Sequence, residues 1–194
     1  MIVALANLKG GVGKTTSALY FAAVAQEKGL EPVILDADNE RSALEWAEAG
    51  ELPFQVIEAK KDGLARQARA LQKENHTVII DPPPNSREIL WAAAAVADRV
   101  VVPVAPTGVD INRLRGTLEV LLDVEATKGE LDTSILLVRW DRRKNLAREA
   151  EELLAKFPLL KARIRDLARY EDGFGSSPSY LEEYELAWTE VTSG

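Results

Sequence analysis

Hydrophobic residues along this chain fall into two alternating patterns. Short, nearly unbroken apolar runs occur at 2–5, 33–35, 53–57, 77–81, 99–104 and 134–138. Runs of this length, rich in Val and Ile, predict buried strands. Between them, apolar positions recur every three or four residues. That period predicts helices over 15–28, 41–49, 63–74, 87–97, 111–127, 145–157 and 179–191. In the helix over 111–127, Leu114, Leu118, Leu121 and Leu122 read as one apolar face. The stretch 159–176 reads as irregular, with one short strand near 162–164. Strands alternating with helices, and apolar throughout, imply a mostly parallel sheet covered on both faces. The expected fold is a single doubly wound α/β domain over residues 1–194, with no repeat, linker or low-complexity tract.

The junction of the first strand and first helix carries the chemistry. It reads Leu8-Lys9-Gly10-Gly11-Val12-Gly13-Lys14-Thr15-Thr16. Glycines let backbone N–H groups approach a phosphate without Cβ clashes, and the helix start adds its dipole and free N–H groups. Lys14 is placed to charge-pair with β/γ-phosphates and the Thr15 hydroxyl to ligate Mg²⁺, the pattern of a phosphate-binding loop. ATP and Mg²⁺ are the expected ligands. Two further strands end in acids. Asp36 and Asp38 follow the run at 33–35, and Asp81 ends the run at 77–81. In an open α/β sheet that edge is where ligands sit, so Thr15, Asp36, Asp38 and Asp81 are the candidate metal residues.

Composition narrows the setting. The 194 residues include no cysteine, which excludes disulfides and thiolate metal sites. No apolar run reaches membrane-spanning length. Met1 leads directly into the first strand, leaving no room for a signal peptide, so a cytoplasmic protein is expected. Net charge is −7, but it is unevenly spread. Residues 139–169 hold ten Lys/Arg against five acids, while the chain from Tyr170 onward has six acids and no base. Such asymmetry suggests a localised basic face, which composition alone reads equally as a solvated surface or as a nucleic-acid contact. Arg142, Arg143, Lys144, Arg148, Arg163, Arg165 and Arg169 are the candidate DNA contacts.

The loop departs from the general G-x-x-x-x-G-K-[ST] pattern, with Leu8 at the first glycine position and a second lysine, Lys9, before Gly10. This K-G-G-x-G-K-T form resembles the deviant Walker A box of the ParA/MinD family. Asp81-Pro82-Pro83-Pro84 resembles that family's Walker B segment, and Asp36-Ala37-Asp38 its switch I, where Asn39-Glu40 replaces the usual Pro-Gln. Val101-Val102-Pro103-Val104-Ala105-Pro106-Thr107 resembles its V-x-P-V strand and loop, and 107–110 its switch II side. Arg139-Trp140-Asp141-Arg142-Arg143 resembles the segment after its sixth strand. The size is similar to the small plasmid-type ParA partition ATPases.

The resemblance implies a sheet of seven or eight strands and an ATP-bound homodimer. Lys9, beside Lys14, would cross to the partner's phosphates, and Asp38 would organise the attacking water, making these three the catalytic set. The nucleotide would lie on Lys9, Gly10, Gly11, Val12, Gly13, Lys14, Thr15 and Thr16, with Arg139 and the 162–170 loop as candidates near the adenine. It further implies nonspecific DNA binding by the dimer, nucleoid association, and a small ParB-like partner that stimulates slow hydrolysis. Nitrogenase-type and arsenite-pump relatives need cysteines. MinD-type membrane binding needs a basic terminal helix, whereas the helix over 179–191 is acidic. A dethiobiotin-synthetase-like ligase, or a hydrolysis-poor nucleotide-binding module, is the alternative. His76, Trp46, Trp91 and Trp188 read as structural residues.

Overall fold

The computed structural model describes residues 1–170 and 173–193, the side chain of Arg169 excepted. The apolar runs become β1 (Ile2–Leu5), β2 (Pro32–Asp36), β3 (Gln55–Glu58), β4 (Thr77–Asp81), β5 (Arg99–Val104), β6 (Thr133–Trp140) and β7 (Leu159–Arg165). They pair in parallel in the order β3-β2-β4-β1-β5-β6-β7. The connecting helices are α1 (Lys14–Glu27), α2 (Ser42–Ala49), α3 (Leu64–Lys73), α4 (Arg87–Val96), α5 (Gly108–Lys128), α6 (Asn145–Leu154) and α7 (Glu182–Thr192).

Because side chains alternate across a strand, each central strand feeds two cores. Val3 and Leu5 pack with α1, Trp46 of α2, and α7 on one face. Ile2 and Ala4 pack with Leu64, Leu90, Leu114 and Leu154 of α3 to α6 on the other. β1 sits between β4 and β5, where the winding reverses, so a crevice opens beyond its C-terminal end.

Three sequence expectations are corrected. The helix α1 is not striped. Residues 17–25 are all buried, because α7 covers the side that the sheet leaves open. Leu122 stands at the edge of the apolar face expected of α5 and is 61% exposed, while Leu114 and Leu121 are buried. The stretch near 162–164 extends into the full strand β7. There Leu160, Ala162 and Ile164 point inward and Lys161 and Arg165 outward.

As an edge strand, β7 would present unpaired N–H groups. Helix α7 meets them with carboxylates. Glu190 accepts from the amides of Lys161 and Ala162, each at 2.7 Å, and Glu183 from the amide of Arg165 at 2.8 Å. Helix α7 is anchored in turn on α1, with Tyr184 stacked on Tyr20 at 4.7 Å and its hydroxyl 3.2 Å from Ser17 Oγ. Trp188 is fully buried, consistent with a packing role.

Candidate functional site

The loop from β1 to α1 is pinned at its base before it meets any ligand. The Asn7 amide group donates to Pro103 O at 2.9 Å, and its Oδ1 accepts from the Lys9 amide at 2.9 Å. The Leu8 amide donates to Thr117 Oγ1 of α5 at 3.0 Å, and Leu8 O accepts from the Asn85 amide at 2.8 Å. Gly13 closes the loop as the residue before α1 with φ 77°, a left-handed conformation that a side chain would strain. The first-turn amides of α1 therefore face the crevice with no capping side chain. Among the described residues, Arg41, Asn85 and Arg139 also take positive φ, and Arg139 lines this crevice.

Lys14 is buried. Its Nζ lies 3.2 Å from Lys9 O, and burial lowers its pKa against the pull of Asp81 and Asp38. A buried ammonium with a single protein carbonyl is poised for an anion, since desolvated charge needs a counter-charge. Beside it, Thr15 donates to Asp81 Oδ2 at 2.6 Å, while Asp81 Oδ1 is buried with no hydrogen-bond partner. Burial pushes Asp81 up to about 7. An orphaned carboxylate oxygen next to a hydroxyl fits a divalent cation held through oxygen ligands and water.

The four candidate metal residues do not form one cage. Among the described residues, no group of three or more His, Asp or Glu converges to hold an ion alone. Asp36 is fully buried and spent on backbone. Its Oδ1 accepts from the Asp38 amide, and its Oδ2 from Ala43 and Leu44 at the start of α2. It shapes the switch segment. Asp38 instead is half-buried and lines the crevice.

That crevice is a cleft of about 410 Å³ along Gly10, Gly11, Gly13, Lys14, Thr15 and Thr16. Its far wall was not expected from sequence. Trp46 and Phe174 meet there with ring centroids 5.6 Å apart, and the Trp46 indole donates to Ser176 O at 2.9 Å. Arg139 lines this cleft and also a narrow extension under Leu167, Tyr170 and Tyr184. Val12 is buried beneath the loop.

Lys9 does not point into the cleft. Its ammonium pairs with Asp110, whose other oxygen accepts from Thr107. The basic stretch is also more engaged than its composition suggests. Arg143 pairs with Asp141 at 2.9 Å, Lys144 with Asp166 at 3.2 Å, and Arg165 with Glu183. Arg163 is half-buried and held by Glu151 at 2.6 Å, which removes it from the exposed set. Arg142 and Arg148 are exposed, and the side chain of Arg169 lies outside the described residues.

A parallel seven-stranded sheet whose first strand feeds a phosphate-binding loop, with an acid at the end of β4, is the arrangement of a P-loop nucleotide-binding protein. Residues 3–174 match the family described as CobQ/CobB/MinD/ParA nucleotide binding domain, and the chain belongs to it. It is 34% identical over 176 residues to the maintenance of carboxysome distribution protein A of Gloeobacter kilaueensis, covering 88% of this chain and 79% of that one. It is 29% identical over 188 residues to the chromosome-partitioning ATPase Soj of Thermus thermophilus, covering 78% and 74%. Among solved structures, the ATP complex of a Cyanothece McdA variant superposes with a TM-score of 0.78 at 19% identity, over 99% of this chain and 96% of that one. That last likeness is one of fold.

Proposed function

We propose that this chain is a Mg²⁺-dependent ATPase that dimerises on ATP and uses the cycle to distribute a cargo over DNA. The cargo is a replicon or, as the carboxysome-named relatives suggest, a protein body. The observation that carries this reading is the pair of lysines on one loop: Lys14 buried in the cleft and Lys9 held aside on Asp110. One lysine suffices to bind a nucleotide, so a second on the same loop implies a second task.

In this reading the loop amides and Lys14 bind the phosphates, and Arg139 borders the base. Thr15 and Asp81 would hold Mg²⁺, which would supply charge neutralisation to the phosphates. Lys9 leaves Asp110 and reaches the facing subunit's phosphates, where desolvation strengthens the contact. Driving such a switch from 1:99 to 99:1 takes about 5.5 kcal/mol of differential affinity. Asp38 orients the attacking water. DNA is held by exposed cations around the start of α6, chiefly Arg142, Arg143, Lys144 and Arg148, with Arg165 flanking. A ParB-like partner stimulates turnover, and the ATP form sits on the nucleoid. Relatives named for partition and distribution weigh for this switch over a small-molecule ligase.

The test is DNA binding with and without a non-hydrolysable ATP analogue, over a salt series. ATP-dependent binding to any sequence is expected, with log K falling by roughly 0.9 per phosphate contact per decade of salt. Charge reversal at Arg142 and Arg143 should weaken it without changing nucleotide affinity. Binding by that double variant equal to wild type would remove the DNA reading.

A further inference from the structure

On the face of the sheet away from α1, helices α5 and α6 leave an open apolar groove of about 430 Å³. Its floor is Leu114 and Leu154, both buried, and Leu122 and Leu153 stand on its rims at 61% and 57% exposure. Two large aliphatic side chains left in water beside a formed groove mark a docking surface more than a packing accident. From Ile111 to Leu122 the α5 wall runs about 16 Å at 1.5 Å per residue, the length of three helical turns.

The charges around the groove say what fits. Glu119 is met twice, by Arg115 at 3.1 Å and by Arg87 at 3.7 Å. Lys156 forms no ion pair among the described residues, and its ammonium lies 5.5 Å from the Phe157 ring centre. The groove is therefore apolar with a cationic rim, in a chain whose net charge is −7. A strip about 16 Å long fits one short helix lying along it.

We infer that this groove docks a short amphipathic helix of another protein, with large aliphatic residues on one face and acids flanking them. Such a helix places its apolar side chains at i, i+3, i+4 and i+7 between α5 and α6, and its carboxylates against Arg115 and Lys156. The groove begins at Ile111, next to Asp110, so an occupant touches the turn that holds Lys9.

The test is selection of random 14-residue peptides displayed on phage against the full chain, followed by anisotropy titration of the synthesised winners. Winners should carry Leu, Ile, Phe or Met at helical spacing with Asp or Glu beside them. The double variant Leu122→Glu, Leu153→Glu should bind them at least about tenfold more weakly. Lys156→Glu should weaken acidic winners and spare a charge-neutral version of the same peptide. Both leucines are mostly exposed, so an unchanged thermal melt should show that the variants fold. Selection of basic peptides, or of peptides indifferent to the double variant, would overturn the proposal. So would self-association of the wild-type chain that Leu153→Glu abolishes, because the groove would then belong to a second copy.

Discussion

Lys9 and Asp110, 101 residues apart in sequence, form an ion pair in which the Asp110 side chain is 5% exposed and that of Lys9 23%. Lys9 is thus held against the first turn of α5 until something attracts it more strongly. Asp110→Asn keeps the shape of the contact and removes its charge. It should lower the protein concentration at which an ATP analogue produces dimers, measured by light scattering. Lys9→Ala should abolish those dimers while leaving monomer nucleotide affinity nearly intact. It should also leave Asp110 buried without its cation, at a cost of about 1–3 kcal/mol in thermal or urea unfolding. A Lys9→Ala protein that still dimerises would reduce Lys9 to a loop residue.

Lys14 presents the opposite case, because its charge is already desolvated in the cleft. Lys14→Ala should weaken binding of a fluorescent ATP analogue by two orders of magnitude or more, on the order of 3 kcal/mol. The metal-free, nucleotide-free chain should lose little stability, since the variant no longer buries an ammonium. Equilibrium titration and a melt of the same sample check both halves. Unchanged affinity would contradict the assignment of the loop.

Asp81 supplies a pH dependence whose sign follows from its burial. Its folded pKa, about 7, lies above the ordinary 3.8, so the folded chain holds an extra proton between roughly pH 4 and 7. Buried Asp36 is shifted in the same direction. Stability of the metal-free chain should therefore fall as pH rises through that window and level off above it. Asp81→Asn should flatten the fall, raise the melting temperature at pH 8, and abolish stabilisation by Mg²⁺ with nucleotide. In wild type that stabilisation should grow as pH passes 7, because the cation needs the carboxylate. Calorimetry at pH 5, 6, 7 and 8 reads all of these, and a wild-type curve that rises across the window would refute the account.

Gly50, just after α2, lies so close to the 173–176 segment that an added Cβ would sit 1.7 Å from Gly175 O. Backbone cannot yield there without moving Phe174 off Trp46. Gly50→Ala should cost about 1–3 kcal/mol as overpacking, a drop of several degrees in melting temperature. Nucleotide binding should weaken with it, because the displaced ring pair is a wall of the cleft. An unaltered melt would show that the two segments are not keyed together.

The phosphate loop was legible because its chemistry lies in consecutive residues at one strand end, and Asp81 because a single acid terminates an unbroken apolar run. Asp110 as the partner of Lys9 was not, since only the packing of α5 against the loop after β1 brings them together. In the basic stretch the net charge was legible but not which cations are engaged: Glu151 folds onto Arg163 from within it, and Glu183 reaches Arg165 from α7 outside it. The strand β7 was hidden because outward Lys and Arg interrupt its apolar residues, the ordinary look of an edge strand. The exposure of Leu122 was not legible: at 100° per residue it lies about 80° around the helix from Leu114, at the margin of the same apolar face.

The carboxylates of Glu183 and Glu190 on the amides of β7 restrict how copies of this protein can join. A sheet edge stitched shut by side chains of its own domain offers no ladder for another chain to extend. Addition at that margin would first have to break three amide-to-carboxylate bonds, with nothing gained until a new strand was fully seated. At that margin, association is thereby left to the loops and helix faces. A contact made through those surfaces can be undone without unpicking a backbone ladder, whereas one made by strand addition could not.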